Sequence, residues 1–456
     1  MARSGRVGLT IACCLGEFVH TVYGSVVNIA LPDISKELHA GMGELQWVVS
    51  AYIIALASLL PIAGTLADRF GRKRILILGN VIMIAGAVVC ALSPSIPMLI
   101  SGRVLQGIGS ALIAPAGLAL LTAAVSDRSQ RAVEVMWWTA TGTATLAAGP
   151  ILGGILVKDL GWTSVFWAGV PLGALATVLA VVLLRESKAE HTDPIDPLGV
   201  TLATLFIAAL AFTLIEGPHL GWASPTVLVA VAVTVVAIAV LIPYELRRRH
   251  PAVPVGLFAD RGFSTALSIA VLGYLALAGL LFLNTFYLQS ERGLDATIAG
   301  LMTIPLALGA LITAVLAARL VARGRSRSAL IAAGLLVVAG SLALWATEHA
   351  PLWTIMVPYF VFGLGFGLIA DPISVTALAS LPPDKAGLAS SLISTSKQAG
   401  QMLGIAGVGA LLAVVAGASD KVEFDDMGGW AWMMLAIAGA LIVVLTASAP
   451  RARQAA

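Results

Sequence analysis

Glu17, His20, Arg103 and Asp371 are ionisable residues set inside long apolar runs. A charge in hydrocarbon is costly, and such residues by default mark a path for ions or substrate. Glu17 and His20 are three residues apart, with Thr21, Gly24 and Asn28 following at i+4, i+7 and i+11, so all share one helical face. A low dielectric disfavours a bare carboxylate, so an acid here suits proton loading and release. An imidazole beside it is a natural relay partner. The bland reading is a hydrogen-bonded pair that only tethers helices; the cost of burying an acid in lipid favours the proton reading. Asp371 is followed by Pro372, which frees a backbone carbonyl and kinks a helix. It reads either as a proton or substrate site or as one half of a gate ion pair. Arg103 must find carboxylates, carbonyls or water.

These residues sit in a chain of 456 residues that is 59% apolar and 11% charged, with a mean hydropathy of +0.96. Soluble domains carry about 25% charged residues, so the solvent of this chain is the bilayer. Fourteen runs are long enough to span: 8–31, 45–66, 75–93, 97–124, 132–157, 163–184, 198–216, 224–244, 263–289, 298–320, 328–347, 352–380, 387–416 and 430–449. Of the 27 Lys and Arg, 21 fall in the segments on the side of both termini and four on the other (Lys36, Lys158, Arg292 and Lys421); Arg103 and Lys397 lie within spans. The positive-inside rule then puts both ends in the cytoplasm. The segregation of charge argues against a nucleic-acid surface. The first run holds Glu17 and His20 and lacks a small-residue cleavage site, so it is expected to be a span and not a removed signal. Three cysteines in apolar runs, Cys13, Cys14 and Cys90, provide neither a disulfide framework nor metal spacing. No phosphate-binding loop of the G-x-x-x-x-G-K-[ST] type occurs, and Gly363, Gly365 and Gly367 follow no strand and read as helix packing. The expectation is therefore no catalytic residue, no metal and no cofactor, with the proton gradient as energy source. Trp137 and Trp138 read as packing residues, and Trp162 and Trp430 as interface anchors.

The loop between the second and third spans reads GTLADRFGRKR, Gly64 to Arg74; shifted by 253 residues it meets ARGRSRS, Ala322 to Ser328, a degenerate copy without the acid. Such a pair is what a duplicated transporter carries. The string resembles the second-to-third-helix loop of the major facilitator superfamily. LISGRVLQGIGSA (Leu99 to Ala111) is similar to that family's fourth-helix pattern, and GPILGG (Gly149 to Gly154) to its fifth-helix antiporter pattern. SVVNIALP (Ser25 to Pro32), FYLQ (Phe286 to Gln289) and GLASSLISTSKQAGQMLG (Gly387 to Gly404) resemble the fourteen-helix drug:proton antiporter branch.

The resemblance implies an all-α membrane fold of two six-helix bundles, at 1–184 and 263–456, with an inserted helix pair and its flanking loops at 185–262. It implies a central cavity lined by spans 1, 4, 9 and 12, opened alternately to each side. It assigns Arg103 to proton handling, with a structural hub as the alternative. It assigns Asp68 and Arg72 to a cytoplasmic gate, with Asp127 a further partner for Arg72. It ties Gly149, Pro150, Gly153 and Gly154 to antiport. The chain departs from the branch at Tyr23, where an aspartate is usual. Either Glu17 and His20 take over coupling, or the substrate needs no negative charge; both can hold. The implied protein is a monomeric, multi-pass carrier of the cytoplasmic membrane that exports small apolar organic compounds against protons. A proton-coupled uptake symporter and a non-transporting membrane sensor are the alternatives.

Overall fold

The computed structural model describes residues 3–125, 127–189, 194, 196–248, 250–379, 386–416 and 428–449. Arg249, Lys385, Lys421, Arg451 and Arg453 of the charge census lie outside them. Every regular element among the described residues is helical. Lipid offers no partner for backbone N–H and C=O groups, and a helix satisfies them within its own segment. Thirteen segments are long and apolar enough to cross a membrane, and the 31-residue helix Ala386–Ala416, between the last two, completes fourteen.

By their mutual packing the helices fall into two units. The first comprises 1–200 with 294–301. It holds α1 (Arg3–Leu38), α2 (Met42–Phe70), α3 (Arg72–Ala91), α4 (Ile96–Ala123), α5 (Arg128–Leu160) and α6 (Thr163–Leu183). The second comprises 201–293 with 302–456. Most of α7 (Pro197–Leu220) belongs to it, with α8 (Pro225–Leu246) and α9 (Arg261–Phe286). The short α10 (Ala296–Leu301) returns to the first unit, and α11 (Ile304–Ala322) resumes the second. There follow α12 (Ser326–Ala346), α13 (Leu352–Gly367), α14 (Ala370–Ala379), α15 (Ala386–Ala416) and α16 (Gly428–Ser448).

Three expected spans are not single regular helices. The ninth ends in a π turn, Tyr287–Glu291, at the FYLQ string. The tenth is divided between α10 and α11, and the twelfth between α13 and α14. At the second break the amides of Leu368 and Ile369 reach back only three residues, to Gly365 and Phe366. Pro372 has no N–H for the Leu368 carbonyl, so the regular ladder cannot pass this point. The expected kink is thus a break, with Asp371 in the first turn of α14.

Small residues set the helix contacts, as expected where lipid removes any hydrophobic drive between helices. Gly400 and Gly404 of α15 lie directly on the carbonyls of Val271 and Leu275 of α9. That contact is what the glycine spacing in GLASSLISTSKQAGQMLG encodes. Trp162 differs from expectation: it is buried and packs edge-on to Phe166 at 6.2 Å, whereas Trp430 is exposed. Trp138 packs against Gly117, but Trp137 is exposed.

Candidate functional site

A one-turn spacing on α1 brings Glu17 and His20 together. His20 Nε2 lies 2.8 Å from Glu17 Oε2, and the two residues are only 7% and 8% exposed. His20 Nδ1 is buried without a protein partner, which leaves the ring one nitrogen free of the pair. The Tyr52 hydroxyl of α2 donates to the His20 carbonyl at 2.7 Å and lies 2.9 Å from Ser110 Oγ of α4. Thr21 donates back to the Glu17 carbonyl at 2.6 Å. Gly142 of α5 lies against the Glu17 carboxyl: a Cβ there would stand 3.1 Å from Oε1. The pair is therefore framed by α1, α2, α4 and α5. Asn28, three turns on, keeps a buried Oδ1 without a protein partner.

Arg103 is fully buried and joins three helices. Its Nε donates to the Val48 carbonyl (2.9 Å), Nη1 to Gln106 Oε1 (2.8 Å) and Nη2 to the Tyr23 carbonyl (3.2 Å). Its guanidinium lies 4.5 Å from the centre of the Tyr52 ring. These acceptors are two carbonyls and an amide, the bonding of a structural hub. Tyr23 is equally committed: its hydroxyl donates to the Phe166 carbonyl at 2.9 Å, and its ring stacks on Phe166 at 6.3 Å.

The GTLADRFGRKR loop is closed on its own unit. Arg72 pairs with Asp68 through Nε and Nη2, both at 2.8 Å. Asp127, a suggested partner of Arg72, instead caps α5 by accepting from the Gln130 amide at 2.9 Å. A residue that sequence reading passed over does the remaining work: Glu186, just past α6, accepts from the amides of Lys73 (3.0 Å) and Arg74 (3.3 Å). A carboxylate at these unpaired N–H groups also meets the favourable end of the α3 dipole. Gly71 is required here twice over. Its φ is +107°, and a Cβ would meet the Glu186 carboxyl carbon at 2.6 Å. Lys73 Nζ ties the same segment down, on the carbonyls of Val181 (2.7 Å) and Leu184 (2.8 Å).

In GPILGG, Gly149 meets Ser25, Gly153 meets Val26, and Gly154 meets the backbone of Ala296 on α10. Pro150 contributes its carbonyl, on which Gly300 rests. Thr297 Oγ1 donates to the Gly154 carbonyl at 3.0 Å, and Lys158 lies 3.1 Å from Asp295. The motif is thus the packing face of α5 toward α1 on one side and α10 on the other.

In the second unit, Asp371 is half-buried on α14, within electrostatic reach of Lys397 on α15. The Lys397 ammonium lies 5.5 Å from the centre of the Tyr274 ring, which meets Phe366 edge-on at 5.3 Å. Tyr359 and Asn284 share a buried hydrogen bond between α13 and α9. Sequence reading also missed Glu134 of α5, only 6% exposed, to which Thr10 of α1 donates. An acid inside the run 132–157 was the signal that marked it.

Fourteen spanning helices with inward-turned, paired ionisable groups define a polytopic helical membrane transporter. The chain matches the model of the Major Facilitator Superfamily over residues 13–405, with a second match over 269–453, and it belongs to that family. It is 34% identical over 403 residues to the "Multidrug resistance protein Stp" of Mycobacterium tuberculosis, covering 88% of this chain and 75% of that one. It is 31% identical over 444 residues to the "Methylenomycin A resistance protein" of Bacillus subtilis, covering 97% and 94%. With the "Tetracenomycin C resistance and export protein" of Streptomyces glaucescens it shares 31% over 406 residues, 88% of this chain and 75% of the relative. A solved structure of a D-xylose-proton symporter superposes with a TM-score of 0.69 over 98% of both chains at 16% identity, a likeness of fold alone.

Proposed function

We propose that this chain exports small, rather apolar organic compounds, drugs or antibiotics, across the cytoplasmic membrane in exchange for protons. Relatives that align over most of their length are named for drug resistance and export, and this supports the outward direction. The observation that carries the coupling is the buried Glu17–His20 pair. A carboxyl and an imidazole 2.8 Å apart share a proton readily, and each is framed by helices that a carrier must move. On this reading, a proton taken from outside neutralises the pair, the carrier reorients, and its release inside resets the cycle. The carrier acts as a monomer with both termini in the cytoplasm. Tyr23 places no charge beside the pair, so recognition does not depend on a cationic substrate.

Two measurements test this. A susceptibility panel of cationic, neutral and anionic compounds in a pump-deficient host should show protection concentrated among neutral and apolar ones. Inverted vesicles with an acidic lumen should then accumulate a protecting compound, and Glu17→Gln should abolish the response to the pH gradient. Accumulation only in right-side-out vesicles would instead establish an uptake symporter. No accumulation in either orientation would point to a sensor.

A further inference from the structure

Glu134 has no place in the coupling scheme above, yet it is as deeply buried as the pair that does. It lies six residues into α5, about 9 Å along the axis from that helix's first residue. Thr10, which donates to it, lies seven residues into α1, about 10 Å from the same face of the unit. Glu17 is seven residues beyond Thr10, so about 10 Å deeper along the same helix. Between the two acids along α1 lies Cys14, half-buried and within electrostatic reach of Thr141, Glu17 and Glu134. The interface of α1 and α5 thus carries polar residues at three successive levels, Glu134 and Thr10, then Cys14 and Thr141, then Glu17 and His20, with Gly142 of α5 against the Glu17 carboxyl.

Of the other ionisable groups described in this unit, Tyr52 of α2 donates to the His20 carbonyl and lies within electrostatic reach of Glu17. From α1, Cys13 as well as Cys14 lies within electrostatic reach of Glu134. The only ionisable residue of α4, Arg103, is bound to Val48, Gln106 and Tyr23. Helix α6 has none. Asp295, at the start of α10, pairs with Lys158 at the far end of α5. On α5 itself, Arg131 turns its guanidinium to the Val125 carbonyl at 3.0 Å.

We propose that Glu134, held by Thr10, is a second proton-binding carboxyl of this carrier and the port through which the proton of the Glu17–His20 pair leaves toward the cytoplasm. The inference rests on the reading of the chain as a proton-coupled exporter. In the step, the Glu17 carboxylic acid breaks its O–H bond and becomes a carboxylate. Water carries the proton along the α1–α5 interface, and the Glu134 carboxylate forms the new O–H bond. Glu134 then gives the proton to cytoplasmic water and returns to its starting state. Thr10 is a positioning residue: its donated hydrogen bond holds the Glu134 carboxylate and weakens when that acid is protonated.

The test uses the full-length carrier in lipid and the proton as the only probe. Time-resolved infrared difference spectra after a pH jump, between about pH 5 and 9, follow the C=O stretch of protonated carboxyls. Two such bands are expected from the wild type, one lost in Glu17→Gln and the other in Glu134→Gln. In Glu134→Gln the surviving Glu17 band should decay on the order of tenfold or more slowly, the scale of a lost proton-transfer group. Glu134→Asp should restore the fast decay, and Thr10→Val should shift the Glu134 band. If Glu134→Gln does not accumulate, the Asp and Thr10→Val variants carry the test. A Glu17 decay unchanged in Glu134→Gln, or a second band indifferent to both Glu134 and Thr10 changes, overturns the port and leaves the coupling reading intact. If no band depends on Glu17, the coupling reading itself fails.

Discussion

Tyr23 shows how one residue can be read in two ways. In sequence it is the absence of an expected acid. In the structure it is a tie between α1 and α6, with its hydroxyl on the Phe166 carbonyl and its ring against Gly169. Tyr23→Phe should therefore cost about 1 kcal/mol of stability, the scale of one net hydrogen bond, with transport retained. Gly169→Ala would drive a methyl group into the Tyr23 hydroxyl. Its loss of thermal stability should exceed that of Tyr23→Phe, and the double variant should recover part of it. Thermal melts of the four proteins in detergent check the coupling, because residues in contact are non-additive. Strictly additive losses would separate Tyr23 from Gly169.

At the scale of elements, the antiporter string is a packing surface. Gly154 and Gly300 bring the backbones of α5 and α10 into direct contact, with Lys158 and Asp295 closing the end of that contact. Gly300→Val should hold the helices apart. The loss is read as a reduced yield of cross-link between cysteines placed at Lys158 and Asp295 with a short bismaleimide; an unchanged yield would remove the glycine from this role. The ion pair itself has a definite pH range. The Ile298 amide first, and then Lys158, hold the Asp295 carboxyl below its ordinary value of 3.8. A lowered value in the folded state means that the contact stabilises above 3.8 and is lost as pH falls through the lower, folded-state value. It is exposed, so salt screens it. Lys158→Ala should leave the melting temperature at pH 7 nearly unchanged, the usual outcome for a surface pair. A large fall would show that the pair is less solvated than its exposure indicates.

At the scale of the whole molecule, the alternation of charged segments predicts which faces share a side of the membrane. Lys36 follows α1, and Lys188 lies in the segment after α6. Cysteine at position 36 should react with a membrane-impermeant maleimide in intact cells, and cysteine at 188 only after permeabilisation. The native cysteines lie within spans, with Cys13 and Cys90 buried, so a cysteine-free background isolates the signal. Labelling of both positions from outside would reject the inside termini.

The sequence by itself determined the helical class, the fourteen crossings, the family and the Glu17–His20 pair. Each of these depends on local physics: the length of an apolar run, the side on which positive charge accumulates, and the one-turn geometry that makes i and i+3 neighbours. Only the tertiary structure decided what those residues touch. Arg103 bonds across helices because carbonyls of α1 and α2 converge on it. Asp127 caps α5 through the Gln130 amide, while Arg72 is held by Asp68. Glu186 grips the α3 amides from a segment more than a hundred residues away in the chain. Glu134 becomes significant only when α5 lies along α1 and Thr10 meets it. Such pairings depend on which helices pack together, and no spacing within one helix encodes the partner across the interface.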